Sequence, residues 1–347
     1  MTLRAFAVSL LAAVLPACTS APPAPPAPSA DGPREVLERY VSAAQPEALG
    51  ALATWPAEDG GAWLIAAAPA ADRLLVFDAD SGARLRTVGA RGRGPGRFLR
   101  PAGVAAFGER LFVAERGNRR VQVLGLPDFA PLGSFGEAEL HAPDALWVDE
   151  TAPDELRVYV VDADAPEAGP GRRVHRYVLG FDEDGRARAR HLGAFGDRGT
   201  AALRGAAAIA GDDASGRLLL ADAGAHGTAL RAYRFDGGDA RGAAPALDGA
   251  AAGLALWACP DGSGYWIAAE RRAARTGFRL FDRAALAPRG GFRGETVAGT
   301  GAIAVHAAAT AAFPFGALFA VHDDHAVAAF DLAEVARVLD LPPGCLD

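Results

Sequence analysis

From about residue 45 onward, short runs of apolar and β-branched residues alternate with clusters of Gly, Asp and Pro. Runs of this length bounded by turn formers predict strands, and apolar residues at helical spacing are scarce. One stretch predicts a short helix, PREVLERYVSAA at 33–44, with Asp31 near its start and Pro33 in its first turn.

The strands repeat. Six segments share one outline: a small-residue strand, a turn, a second strand ending in a polar residue, a turn and a third strand. The second strands read RLFVAE (110–115), RVYVVD (157–162), RLLLAD (217–222), GYWIAAE (264–270) and ALFAVHD (317–323), with AWLIAAAP or RLLVFD in the first unit. The third strands include RRVQVLG (119–125), LRAYRFDG (230–237), GFRLFDR (277–283) and AVAAFDL (326–332). The repeat length is about 40–50 residues, in the range of propeller blades. A unit of three or four strands cannot bury both its faces alone, so the units must stack radially. The expectation is an all-β, six-bladed β-propeller in a single domain over residues 34–347.

In this arrangement Glu115, Asp162, Asp222, Glu270 and Asp323 end the second strands at equivalent places and fall in a ring on one face. A ring of carboxylates suits a cation site or a polar ligand mouth. It equally suits a structural role, each acid accepting a backbone N–H in its own turn, and recurrence in every blade favours that role. His322 and His325 flank an Asp323-Asp324 turn, which predicts a plain hairpin, since two imidazoles rarely suffice for a metal. Trp147, Trp257 and Trp266 are expected to pack between blades.

Charge and termini narrow the picture. Half of the 347 residues are hydrophobic, the net charge is −7, and all 35 basic residues are arginine. Phosphate neutralisation on nucleic acid needs a basic face, so nucleic-acid binding is not expected. Arg4 precedes an apolar run, Ala5 to Leu15, too short to span a bilayer but suited to a signal peptide. The run ends in Leu15-Pro16-Ala17-Cys18, which resembles a bacterial lipobox despite Pro16. That resemblance implies a signal peptide at 1–17, lipidation of Cys18 and anchoring to a bacterial membrane, the outer one in a Gram-negative cell; an ordinary secretory signal is the alternative. Residues 18–33 are rich in Pro and Ala and read as an extended tether. The protein is then extracytoplasmic and monomeric. Its partners are the membrane, through Cys18, and a phosphorylated small molecule or a surface protein. Cys259 and Cys345 are the remaining thiols. An oxidising compartment permits one disulfide between them; the other reading is a buried thiol and a thiol on a mobile tail.

Residues 89–105, GARGRGPGRFLRPAGVA, raise the question of a phosphate cradle. A P-loop needs a lysine and a following helix, and neither is present. The stretch instead resembles the linker that opens an NHL repeat, and LFVAERGNRRVQVL (111–124) resembles the core of that repeat. Gly92, Gly94 and Gly96 are then turn and packing positions. Arg91, Arg93, Arg97 and Arg100 become surface charges, or an anion-binding rim, because guanidinium groups suit phosphate geometry.

The C-terminal half resembles the β-propeller phytases, secreted six-bladed enzymes that hydrolyse phytate with calcium. Three stretches carry the resemblance: DDASGRLLLAD (212–222), GLALWACPDGSGYWIAAE (253–270) followed by GFRLFDR, and GAIAVHAAATAAFPFGALFAVHD (301–323). It implies phosphoric monoester hydrolysis with calcium as cofactor. It places Asp222 at a family glutamate and Arg116 at a phosphate-binding arginine. The residues aligned with the family's calcium-holding acids are Ala207, Ala252 and Gly301, none of which can ligate through a side chain. The implied activity is therefore weak or lost. A non-catalytic propeller binding a protein, glycan or phosphorylated ligand at the cell surface is the alternative. A single-metal lactonase- or lyase-like enzyme is a second, with Asp144 as the one acid at the start of a first strand. No Gly-x-Ser-x-Gly, CxxC or HExxH motif supports a serine hydrolase or a zinc protease.

Overall fold

The structure is a computed structural model that describes residues 33–58, 60–153, 155–162, 173–196, 203, 206–224, 227–238, 245–271 and 274–346. Cys18, the signal-peptide segment 1–17 and all but the last residue of the tether lie outside the described residues. The chain divides into residues 1–31 and a compact unit, residues 32–347, which holds every described strand.

Six antiparallel sheets follow one another along the chain, and their first strands neighbour each other in chain order, the last beside the first. This is a six-bladed β-propeller. Blade 1 runs Leu52–Pro56, Ala62–Ala68, Arg73–Asp78 and Arg84–Val88. Blade 2 runs Pro101–Phe107, Arg110–Glu115, Arg120–Gly125 and Ala130–Phe135. Blade 3 opens at Pro143–Ala152, blade 4 at Ala206–Asp212, blade 5 at Ala250–Ala258 and blade 6 at Ile303–His306. The middle strands are buried on both faces, as in Leu64–Ala68 and Leu111–Glu115, and their side chains fill the wedges between neighbouring blades. Trp257 and Trp266 are fully buried there, and Trp147 packs on Tyr159 and Phe235 at ring-centroid distances of 5.8 and 5.4 Å.

Outermost strands such as Arg84–Val88 are mostly exposed. Having little apolar surface to bury, they leave no hydrophobic signature in the sequence.

The expected helix at 33–44 does not form. Arg34–Glu35 pairs in parallel with Pro288–Arg293 as a fifth strand of blade 5, and Tyr40–Val41 pairs with Ala326–Asp331 as the fourth strand of blade 6. Val36 is buried between them, and Glu38 accepts backbone N–H bonds from Glu295, Thr296 and Val297 at 3.1, 2.9 and 2.8 Å. Completing two sheets outweighs a weak local helix propensity. A helix forms instead at Leu332–Val338, capped by Asp331, whose side chain accepts the Ala333 N–H at 2.9 Å. It buries Leu332, Val335 and Ala336 against Phe278, Phe292 and Phe330.

After this helix a short turn, Pro343–Cys345, brings Cys345 to Cys259 of blade 5. The two are joined in a disulfide with a Cα–Cα distance of 4.5 Å, so the reading of two free thiols is replaced. The C-terminal segment is stapled to the sheet that also receives the first N-terminal strand.

A second link joins blades 4 and 5. The Arg283 guanidinium donates to both carboxylate oxygens of buried Asp212, at 2.6 and 3.0 Å, and Ser215 Oγ adds a bond of 2.7 Å. Burial pushes the Asp212 pKa up, but the Arg283 and Ser215 hydrogen bonds and the Arg283 charge outweigh it and hold the carboxyl below the usual range.

Two outcomes follow for solution stability. Cys345→Ser should lower the unfolding free energy by about 3–4 kcal/mol, read from urea denaturation, because the bridge closes a loop across a separation of 86 residues. Asp212 has a depressed folded-state pKa, so its stabilisation is in place above the ordinary aspartate pKa of about 4 and is lost as pH falls through the folded value. Asp212→Asn should flatten that part of the stability profile, measured as urea midpoints between pH 5 and pH 3.

Candidate functional site

The ring of acids resolves into fasteners. Glu115 is fully buried and accepts the Leu99 N–H at 2.9 Å, Asn118 Nδ2 at 2.5 Å, Arg120 Nε at 2.7 Å and Gln122 Nε2 at 3.2 Å. Burial raises its pKa, against the opposing pull of Arg120, the Leu99 N–H and Asn118. Asp162 accepts the His141 and Ala142 N–H groups at 3.0 and 2.6 Å, with His141 Nδ1 at 3.5 Å and His175 Nε2 at 3.8 Å. Glu270 accepts the Asp248 N–H at 3.0 Å, and Asp222 stands 3.5 Å from Arg231 Nε. In blades 2, 3 and 5 the bonded N–H lies in the connector that leads into the blade, not in the acid's own turn. The acids lock connectors to strand ends.

Asp323 is not a ring member. The Val321 N–H bonds the Ala302 carbonyl and Ile303 pairs with Ala320, which puts His322 at the ring position. His322 Nδ1 accepts the Ala298 N–H at 3.2 Å, so an imidazole does there what carboxylates do elsewhere. Asp323 and Asp324 occupy the hairpin turn with φ of 46° and 59°, closed by His325 N–H to the His322 carbonyl at 3.0 Å, and the Asp323 side chain is exposed.

The glycine-rich loop is fastened the same way. Gln122 Oε1 accepts the Gly96 N–H at 2.6 Å, Asn118 Nδ2 donates to the Gly92 carbonyl at 3.0 Å, and Arg120 Nη2 donates to the Arg97 carbonyl at 3.2 Å. Gly92 and Gly96 have φ of 156° and 71°, backbone that a side chain would strain. The polar residues of ERGNRRVQ therefore hold a loop, and the glycines let it turn.

The open feature lies on the axis. Blades 2, 3, 4 and 5 begin with a β-bulge: Pro101 opposes Glu115 and Gly103 opposes Ala114, with the same shift at Pro143/Ala145, Ala206/Ala208 and Ala251/Gly253. The extra residues are Ala102, Asp144, Ala207 and Ala252. Bulges re-aim side chains, and Ala102, Asp144 and Ala252 line the mouth of an axial cup of about 320 Å³ together with Gly50 and Gly301. Below them each blade contributes an Ala or Gly. The innermost ring is Leu52, Val104, Leu146, Ile209, Leu254 and Ile303, each 6–7 % exposed.

Among the described lining residues, charge is confined to one side of the rim. Arg116 Nη2 pairs with Asp144 Oδ1 at 2.5 Å, while Arg116 Nε is buried without a partner. Arg100 lines the same side and has φ of 52°, left-handed backbone for a non-glycine residue. Its N–H bonds Asp72 Oδ1 at 2.7 Å and its carbonyl accepts the Arg116 N–H at 3.1 Å. The sequence reading missed Asp72, which ends the turn after the second strand of blade 1 and also meets Arg91 Nη1 at 3.1 Å.

The described residues do not fit calcium. A hard cation needs several oxygens converging on one point. Ala252 and Gly301 bring no side-chain oxygen to the mouth, and Asp144 is already paired with Arg116. Ala207 opens blade 4, and alanine has no oxygen in its side chain. Among the described residues no group of three or more His, Cys, Asp or Glu could hold a metal ion.

No protein-family profile matches the chain, and no curated protein matches it. Solved structures do. Hydrazine synthase from Kuenenia stuttgartiensis superposes with a TM-score of 0.50 at 13 % identity, over 84 % of this chain and 97 % of that one. The Dos1 propeller superposes with a TM-score of 0.44 at 10 % identity, over 87 % and 74 %. At such identity the likeness to the hydrazine synthase chain is one of fold alone.

Proposed function

We propose that this protein is an extracytoplasmic, lipid-anchored β-propeller that binds a small anionic ligand at its axial mouth and does not hydrolyse it. The observation that carries the reading is the composition of the mouth: alanine or glycine where metal-dependent chemistry needs oxygens, beside two arginines on one rim. Phosphoryl transfer depends on positioning and charge neutralisation, and the arginines alone supply binding rather than the metal-assisted step. The lipobox-like Leu15-Pro16-Ala17-Cys18 and the Pro-rich segment after it support the anchored location. The Cys259–Cys345 bridge fits an oxidising compartment. The resemblance to β-propeller phytases supports a phosphorylated ligand without requiring its cleavage. A single-metal lactonase or lyase finds little support, because Asp144 is the one acid at the mouth and is held by Arg116.

Thermal unfolding and phosphate release test this together. Phytate should raise the melting temperature of the purified protein by mass action, while millimolar calcium alone leaves it unchanged and no phosphate is released. Arg116→Gln should weaken phytate binding roughly 10- to 100-fold, the cost of one charged hydrogen-bonding partner. A calcium-dependent rise in melting temperature accompanied by phosphate release would overturn the proposal.

A further inference from the structure

The axial cup holds more than a patch of positive charge. Among the described lining residues its rim is charged on one side, and the side chains below the rim are apolar, with Ala or Gly walls above the ring of Leu52, Val104, Leu146, Ile209, Leu254 and Ile303. At the packing density of protein interiors, 320 Å³ accommodates a body on the order of ten to fifteen non-hydrogen atoms.

Arg100 is the second observation. A left-handed conformation costs a non-glycine residue roughly 1–3 kcal/mol and persists only where the surroundings impose it. Other non-glycine residues with positive φ, such as Arg119, Asp323 and Asp324, sit in hairpin turns. Arg100 instead ends a connector, directly before the first strand of blade 2, pinned by Asp72 and by the Arg116 N–H. Among the described residues its guanidinium has no hydrogen-bond or ion-pair partner, and it lines the cup beside Arg116. The backbone is held in a strained state that carries an unneutralised charge to the rim.

We infer that the ligand is amphipathic: a single oxyanion head, carboxylate or phosphate, held between Arg100 and Arg116, with an aliphatic or aromatic body seated in the cup. This rests on the anion-binding mouth proposed above and specifies what that mouth takes. A polyanion such as phytate offers no apolar body and fills the interior poorly. Asp144, already paired with Arg116, leaves Arg100 as the group with an open charge. One head group therefore satisfies the rim.

Calorimetric titration of the purified protein with octyl phosphate, octanoate, inorganic phosphate and octanol, each below any micellar concentration, tests the inference. At least one of the two alkyl anions should bind ten times or more tighter than both inorganic phosphate and octanol, since each buried methylene adds to affinity; the tighter of the two identifies the head group. Ala252→Leu, which narrows the mouth on the side across from Arg100 and Arg116, should erase most of that advantage and spare phosphate binding. Arg100→Gly should weaken the alkyl anion about tenfold while the melting temperature stays level or rises, because glycine accepts the left-handed backbone. If inorganic phosphate binds as tightly as the better alkyl anion, or Ala252→Leu changes nothing, the amphipathic ligand is wrong although the anion-binding mouth stands. If no anion binds at all, both readings fall.

Discussion

A sheet of four strands with two apolar faces cannot stand alone in water, and every other feature of this protein answers that constraint. Each blade covers its faces with its neighbours, so the array has to close on itself. Closure draws six first strands together around one axis, where large side chains from every blade would collide. The small residues there, Gly103 and Gly253 among them, follow from that crowding: a Cβ on either would press against the backbone of the next blade. The cup is thus partly a by-product of closing the ring. What distinguishes it from a mere gap is its rim: among the described lining residues the charged ones, Arg100, Arg116 and Asp144, all come from blades 2 and 3, while behind Gly301 Arg271 is paired with Asp324.

Repetition and singularity separate structure from function in this fold. Glu115, Asp162 and Glu270 occupy one place in three blades and do one job, holding the connector that leads into the blade. His322 does that job in blade 6 through a nitrogen instead of an oxygen, which shows that the position requires an acceptor rather than a charge. Asp144 occupies a place where alanine stands in three other blades. Arg100 ends the connector that carries the glycine-rich loop, and Arg116, in the turn after the second strand of blade 2, donates its N–H to the Arg100 carbonyl. The residues that break the repeat are the ones that gather at the axial mouth.

The propeller was legible because burial leaves its mark on second and third strands: RLFVAE and GYWIAAE read the same way in sequence and in space. Outermost strands such as Arg84–Val88 left no such mark, since exposed edges need no apolar pattern. The N-terminal residues misled because Arg34–Glu35 and Tyr40–Val41 owe their form to strands about 260 and 290 residues further along, which local propensity cannot register. The helix Leu332–Val338 was overlooked for a related reason, being short and set after a strand. Of the site, the ring of acids was visible but not what it held. The β-bulges, the left-handed Arg100 and its anchor Asp72 depend on backbone geometry that no residue pattern announces.

The pairing of Tyr40 with Ala329 has a temporal side. The last blade cannot be completed until segments nearly 300 residues after its outermost strand have been made. Until then blade 1 and the unfinished blade 6 each expose an apolar face with no neighbour, and Tyr40–Val41 waits without a partner strand. Contacts so distant in sequence form slowly, and intermediates with open faces are prone to associate. Maturation is then governed by the arrival of blade 6: blades can assemble in order along the growing chain, but the ring becomes a ring only when Ala326–Asp331 meets Tyr40–Val41.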